Sequence, residues 1–521
     1  MTERAPGESD VQNLTAQGFL VAAMTGLSRI SGFARDIAFS YFFGATAVAD
    51  AFFVAFRIPN FFRRLFAEGA FAQAFVPVLA EYRETGSAHA LKLFVRTVAG
   101  NFIVVLAGVS IVGVAGAPVL VAIFAPGFLQ DEAKFALAVD MARIMFPYLA
   151  FIALTAFAGS VLNSFHRYAA PAFTPVLLNL VLITAALVGA PLFEVEVMAL
   201  AWGVFAAGMV QLLFQFPFLR KIDMLAVPRV EWRNPGVRKV GRLLGPAVFA
   251  ASANQINALV GTILASLLTT GSIAWLYYAD RLMELPVGLV AIALGTVLLP
   301  NLSRLHSAND VEGFAATLNW GIRVGVILSV PAAVALYMLA TPLIATIFYH
   351  GAMTALDVGM AAAALQAFAV GLVAWVLVKV AAPGYFARQD TRTPFKFAVV
   401  SVVVNMALSL ALFIPMGHVG LALATSVAAI VNGYLLIRGL VARGDLTWNR
   451  KLARALGATL VAALCMGLVL GYAVPDAEVW LAATAMQRVG LMSASVAGGA
   501  AVYGLTLWLC GLRPADLLHR V

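Results

Sequence analysis

Long apolar runs separated by short polar loops occupy the chain from residue 18 to residue 510, a pattern that predicts helices crossing a bilayer. A bilayer core asks for roughly twenty apolar residues per helix. Runs of that length fall near 18–43, 47–79, 97–124, 136–162, 170–190, 197–219, 241–268, 273–302, 314–340, 357–385, 394–414, 418–440, 452–473 and 483–510. The expected class is an all-α polytopic membrane protein of about fourteen transmembrane helices. The first seventeen residues, MTERAPGESDVQNLTAQ, are polar and lack an early apolar core, so the first span, not a cleaved signal peptide, is expected to direct insertion.

Composition agrees. The chain is 62% hydrophobic and 11% charged, with a mean hydropathy of +0.93, whereas a soluble domain carries about 25% charged residues. A net charge of +9 could suggest nucleic acid, but the basic residues lie in alternate loops. Arg4, Arg83, Lys92, Arg96, Arg167, the 220–242 segment, Arg304, Arg323, Arg388, Arg392, Lys396, the five between Arg438 and Arg454, Arg513 and Arg520 fall on one side. The opposite loops carry Lys134 among Asp131, Glu132, Glu194, Glu196, Asp357, Asp476 and Glu478. The positive-inside rule then accounts for most of the basic excess, places both termini in the cytoplasm and removes nucleic acid as an expected partner.

The two cysteines, Cys465 and Cys510, sit in late apolar runs and suggest no disulfide framework. The six histidines have no ligand spacing, so no metal is expected. No GxxxxGK[ST] loop and no nucleophile–base pattern is present, so no catalytic residue is assigned and a transporter is expected in place of an enzyme.

The spans are duplicated. FAQAFVPVLA (71–80) resembles LGTVLLPNLS (294–303), and MALAWGVFAAGMVQLL (198–213) resembles GLALATSVAAIVNGYL (420–435). The turn FHRYAAPAFTP has its counterpart in FARQDTRTP, and all three matches share an offset of 221 to 223 residues. The expected organisation is a tail at 1–17, a six-helix lobe at 18–219, a basic linker at 220–240, a pseudo-symmetric six-helix lobe at 241–440, and a C-terminal two-helix hairpin within 441–521. Repeated halves with a substrate site at their interface are a common plan for secondary transporters.

Against this apolar background, Arg29, Arg35, Asp36, Asp50, Arg57, Arg63, Arg64 and Glu68 run through the first two spans, and Asp280, Arg281 and Glu284 recur in the eighth. An arginine or aspartate at the centre of a span costs roughly 2.5–3.5 kcal/mol on insertion scales, so such groups face water, pair, or meet a ligand. Spacings of three, four and seven residues put Arg29 with Asp36, Asp50 with Arg57, and Asp280 and Arg281 with Glu284 on shared helix faces. Mutual neutralisation is the plainer reading, and is favoured for Arg64–Glu68. The arginines nonetheless outnumber the acids, and a net positive site within the membrane suits an anion, with guanidinium forks matching phosphate.

Weaker signals keep two readings each. Asp390 belongs to a coupling-ion site or, as favoured, caps the next helix. Arg143 and Lys379 belong to a site or, as favoured, pair or snorkel. The basic linker is an ordinary positive-inside loop or a lipid-headgroup contact. Gly241 and Gly245 mark close helix packing. The final hairpin either packs the bundle or forms a groove for something lipidic.

The strings SRISGFARD (28–36), DAFFVAFRIPNFFRRLFAEGAFAQAFVPVLAEY (50–82) and YYADRLMELPVGLVAIALGTVLLP (277–300) resemble the MurJ (MviN) family of lipid II flippases, within the multidrug/oligosaccharidyl-lipid/polysaccharide exporter superfamily. The resemblance implies two six-helix lobes with two extra C-terminal helices. It implies movement of an undecaprenyl-pyrophosphate-linked muropeptide, lipid II, across the bacterial cytoplasmic membrane for peptidoglycan synthesis. The family's cavity arginines match Arg29, Arg35, Arg63 and Arg281, which are expected to hold the pyrophosphate, its acidic residue after the first-loop turn matches Asp50, and its lipid-tail groove involves the last two helices. Asp36, Arg57, Arg64, Glu68, Asp280 and Glu284 are the supporting charges read from the sequence itself. Lipid II, membrane lipids and cell-wall synthesis proteins are the partners the resemblance points to. No cofactor is expected, and coupling to the membrane potential or to a monovalent ion stays open. Export of another polyprenyl-linked glycan or of a drug, and a non-transporting cell-wall scaffold, are the alternatives.

Overall fold

The structure, a computed structural model, describes the backbone of residues 8–66, 70–225 and 227–513, and their side chains except at 8–19, 65, 66, 70, 249–254, 256 and 291–293. All regular structure among these residues is helical, the arrangement in which each segment satisfies its own backbone polar groups inside hydrocarbon. Two compact units divide the chain, residues 1–267 and 268–521.

The first unit contains α1 (Glu8–Phe43), α2 (Ala47–Phe66), α3 (Ala70–Thr85), α4 (Ala88–Ala115), α5 (Ala117–Phe124), α6 (Glu132–Met145), α7 (Tyr148–Ser164), α8 (Ala169–Thr184), α9 (Met198–Lys221) and α10 (Pro235–Ser266). Helix α1 packs on α8, α2 on α6, α7 on α9, and α3 on α10. A core of Phe71, Phe75, Phe94, Val95 and Val161 joins α3, α4 and α7, with Phe71 stacked on Phe102 at 4.6 Å and Phe75 on Phe94 at 5.8 Å.

The second unit contains α11 (Ser272–Ser307), α12 (Val311–Met338), α13 (Ala340–Phe348), α14 (Ala355–Phe386), α15 (Arg392–Ala442), α16 (Arg450–Ala473), α17 (Ala477–Ala482) and α18 (Ala485–Leu509). Helix α14 is its hub, packing against α11, α12 and α15, while α16 lies between α12 and α18. Capping boxes start two of these helices, Thr354 with Asp357 on α14 and Thr484 with Gln487 on α18. Each box satisfies helix N-terminal donors reciprocally.

Nine described helices are long and apolar enough to cross a membrane on length and composition, ten with the bent α11 pair. The expectation was about fourteen, and the difference has physical causes. Helices α1 and α2 carry the arginines and aspartates singled out above, which lower their hydropathy. Of α10, the apolar stretch Asn257–Ser266 is described. Helix α15, 51 residues long, is two helices joined at Gly417, whose φ of 58° belongs to the left-handed region. Pro415 two residues earlier weakens the hydrogen-bond ladder at the same place, between the expected spans 394–414 and 418–440.

The repeat and the compact units divide the chain at different positions. Helix α10 opens the expected second half, yet it packs against α2, α3 and α4 in the first unit. Close packing at Gly241 and Gly245 is not found: a Cβ at either position would meet no described atom within 4 Å.

Candidate functional site

The charged residues of α1 whose side chains are described fall into two environments. Arg29 is exposed and has no partner among the described residues. Arg35 is 5% exposed and Asp36 1%. The Arg35 Nε and Nη2 atoms both donate to Asp36 Oδ1, at 3.0 and 2.7 Å, and Nη1 donates to Asn179 Oδ1 at 3.0 Å. Asn179, on α8, donates its amide back to Ser31 Oγ at 2.9 Å and to the Ser28 carbonyl at 3.1 Å. One α8 side chain thus fixes a turn of α1 and the head of its arginine together. The guanidinium also lies 5.5 Å from the Phe39 ring centre. A buried charge is tolerated when paired and fully hydrogen-bonded, and this network meets that condition.

On α2 the expected face divides. Asp50, 1% exposed, accepts from Lys134 Nζ at 3.0 Å, with both side chains buried. Lys134 begins α6, where Asp131 accepts its backbone amide, and its ammonium lies 4.4 Å from the Phe128 ring centre. Removing one partner of such a pair typically costs about 3–5 kcal/mol. Seven residues on, Arg57 turns to α10 and donates to Thr262 Oγ1 at 2.6 Å. Arg63 is half-buried, and its Nε donates to Asn60 Oδ1 at 3.0 Å. Arg64 is exposed; Glu68, and with it the expected Arg64–Glu68 pair, lies outside the described residues.

In the second unit, Arg281 Nη1 donates to Glu284 Oε2 at 3.0 Å and Nη2 to the Tyr277 hydroxyl at 3.5 Å. Its guanidinium lies 5.3 Å from the Tyr277 ring centre. Asp280 is half-buried and Glu284 exposed. The shared face expected for Arg281 and Glu284 is present on α11.

Sequence reasoning missed Asn179 and Lys134. The signal for Lys134 was that it stood as the basic residue among acidic outer loops. Asn179 offered a fainter one, a lone amide within the apolar run of α8. Asp390 behaves as the favoured reading expected. Its Oδ1 accepts the Thr393 amide at 3.0 Å and its Oδ2 accepts from Arg443 at 2.6 Å. These contacts, the Thr393 amide foremost, hold the carboxyl down at about 2. Arg143 pairs with Asp140 at 3.2 Å on an exposed face.

The C-terminal hairpin borders a cavity of about 530 Å³ lined by Ile327, Pro331 and Ala335 of α12, Met466 of α16, and Tyr503 and Trp508 of α18. The Tyr503 hydroxyl donates to the Ile327 carbonyl at 2.8 Å, which satisfies its polar end.

Comparison with known proteins identifies the arrangement. The model of the family "Lipid II flippase MurJ" matches residues 39–484. The lipid II flippase MurJ of Burkholderia cenocepacia is 43% identical over 98% of this chain and 99% of its own. A solved lipid II flippase MurJ in an inward closed conformation, 26% identical, matches with a TM-score of 0.79 over 96% of this chain and 100% of that one. An inward-facing multidrug resistance MATE family transporter of the MOP superfamily matches over 82% of this chain and 99% of that one. Its TM-score is 0.65 at 14% identity, which shows a shared fold. A multi-pass membrane protein with this sequence and this fold belongs to the lipid II flippase MurJ family.

Proposed function

We propose that this protein flips lipid II from the inner to the outer leaflet of the bacterial cytoplasmic membrane by alternating access, with Arg29, Arg35, Arg63 and Arg281 binding the pyrophosphate. The observation that carries the reading is the near full-length 43% identity to a lipid II flippase, and the intramembrane arginines supply the chemistry. Arg29 has no partner among the described residues and presents an open fork to the anion. Arg281 is held by Glu284 and Tyr277 yet is about one-third exposed, so a phosphate oxygen can compete for its donors. Arg35 is committed to Asp36 and Asn179, and a pyrophosphate would have to exchange with the carboxylate to reach it. Asp36 therefore supports Arg35 when substrate is away and sets the cost of engaging it.

The undecaprenyl tail needs an apolar path, and the cavity between α12, α16 and α18 suits one, its walls almost wholly aliphatic and aromatic. Both termini lie in the cytoplasm on this reading, with the basic loops inside. The test is translocation of lipid II by the purified protein in sealed vesicles. Arg29→Ala and Arg281→Ala should abolish flipping while the folded protein remains in the membrane. Normal flipping by either variant would remove that arginine from the pyrophosphate site.

A further inference from the structure

The segment between α9 and α10 is bound along one side of α4. Lys92 Nζ meets Asp223 at 2.6 Å. One turn on, Arg96 Nε donates to the Val227 carbonyl at 2.9 Å, and the Arg229 amide donates to the Arg96 carbonyl at 3.1 Å. Further along, Asn101, 3% exposed, clasps Glu231 from both sides. Its amide donates to the Glu231 carbonyl at 3.0 Å, and its Oδ1 accepts the Glu231 amide at 3.2 Å. A Cβ on Gly100 would stand 2.3 Å from the Arg229 carbonyl oxygen, so linker backbone fills the space of a missing side chain. The linker is a strap with a fixed course.

That course sets its height. From Lys92 to Asn101 helix α4 rises about 13 Å, and the strap climbs with it from Asp223 to Glu231. Just beyond Asn101 the surface of α4 turns apolar, with Ile103, Val104 and Val105 exposed. The strap thus reaches the point where the exposed surface of α4 becomes apolar, and Trp232 directly follows the Glu231 held there. Its outward side chains fit the place. Leu225, Val227, Val230 and Trp232 are 40%, 77%, 53% and 52% exposed. A single exposed apolar residue needs no explanation, but four on one pinned segment do. Exposed Arg220, Lys221, Arg229, Arg233 and Arg238 alternate with or flank them. The two acids are engaged, Asp223 with Lys92 and Glu231 with Arg229 at 3.4 Å. Arg220, Arg233 and Arg238 have no acidic partner among the described residues. Tryptophan and short apolar side chains at the hydrocarbon boundary, with basic groups beside them, are what an anionic headgroup layer attracts.

We propose that this strap is a binding surface for anionic phospholipid, its apolar side chains seated beneath the headgroups and its arginines on their phosphates. None of its residues lines the cavity or is among the arginines assigned to transport.

A bimane probe on Val230→Cys, with Cys465→Ala and Cys510→Ala to remove other thiols, tests it in the full-length protein. The vesicles contain phosphatidylcholine alone or with phosphatidylglycerol. Quenching is read with a lipid nitroxide placed near the headgroup and with aqueous iodide. Phosphatidylglycerol should raise the ratio of nitroxide to iodide quenching at least about threefold. The triple variant Arg229→Gln, Arg233→Gln, Arg238→Gln should lose that response, while a probe on the lipid-facing Val104→Cys shows equal quenching in both backgrounds. Quenching indifferent to phosphatidylglycerol would overturn the proposal. So would a probe open to iodide in both vesicles but covered in native membranes, which would point to a protein partner.

Discussion

At the scale of single residues, the chemistry of α1 depends on how one arginine is held. Arg35 uses three nitrogen atoms at once, two toward Asp36 and one toward Asn179. A lysine keeps the charge but offers a single nitrogen, which cannot reproduce contacts made by a rigid planar fork. Arg35→Lys should therefore lose most lipid II flipping in vesicles, well beyond what a charge-conserving change implies. Full activity would mean that charge alone suffices there. Asn179→Leu separates positioning from charge. It leaves the Arg35 charge in place but removes an acceptor from its Nη1 and a donor from Ser31. Unpaired buried polar groups cost about 1–3 kcal/mol, so the melting temperature in detergent should fall and flipping should weaken, while Asn179→Asp, which keeps the acceptor, should recover part of both. The residue that mattered was legible in SRISGFARD, since a charge inside an apolar run announces itself. Its partner Asn179 was not, because it is uncharged and lies 144 positions away. The same distance problem hid Lys134, 84 residues from Asp50.

At the scale of the element, caps and straps decide where helices start and what they carry. Asp390 sits one turn ahead of Thr393 at the start of α15, its carboxyl held at about 2 against an ordinary 3.8. A carboxyl whose pKa falls on folding gives its full stabilisation above the unfolded value and loses it as pH drops through the folded one. The loss therefore belongs between 3.8 and about 2. Asp390→Asn keeps the cap acceptor but has no charge to lose. Its melting temperature should fall less than that of the parent between about pH 5 and about pH 2.5, and equal falls would show that the charge of Asp390 contributes nothing. The strap on α4 gives a sharper contrast. Gly100→Ala forces a methyl group into the Arg229 backbone, whereas Gly108→Ala on the same helix meets nothing within 4 Å. Limited trypsin digestion at Arg229 and Arg233 should accelerate severalfold for Gly100→Ala and stay unchanged for Gly108→Ala. The sequence showed the basic linker but not its attachment, which runs through backbone groups and a buried amide with no pattern of their own.

At the scale of the molecule, the helical class, the nine described spans that pass on length and composition, and the break near Pro415 and Gly417 were legible because hydropathy and helix breakers act locally. Which helices share a compact unit was not: α10 opens the second half of the repeat by sequence and packs with the first unit through contacts to α2, α3 and α4. We propose that the membrane potential drives flipping in a chain whose sequence contains no GxxxxGK[ST] loop. Lipid II carries about two net negative charges at its pyrophosphate, and each moving outward across 100 mV, inside negative, gains about 2.3 kcal/mol. Together these give about 4.6 kcal/mol, which at about 1.4 kcal/mol per decade biases the leaflet distribution by about three orders of magnitude. The field acts on the moving anion, so the bias holds whichever way the carrier sits in a reconstituted vesicle. A potassium diffusion potential set with valinomycin should therefore draw lipid II to the positive side. Reversing the potential should reverse the accumulation, and collapsing it should leave a symmetric distribution with Arg29 and Arg281 intact. Flipping that stays directional after the potential is gone, but follows an imposed sodium or proton gradient, would transfer the drive to a bound cation and leave the arginines with recognition alone.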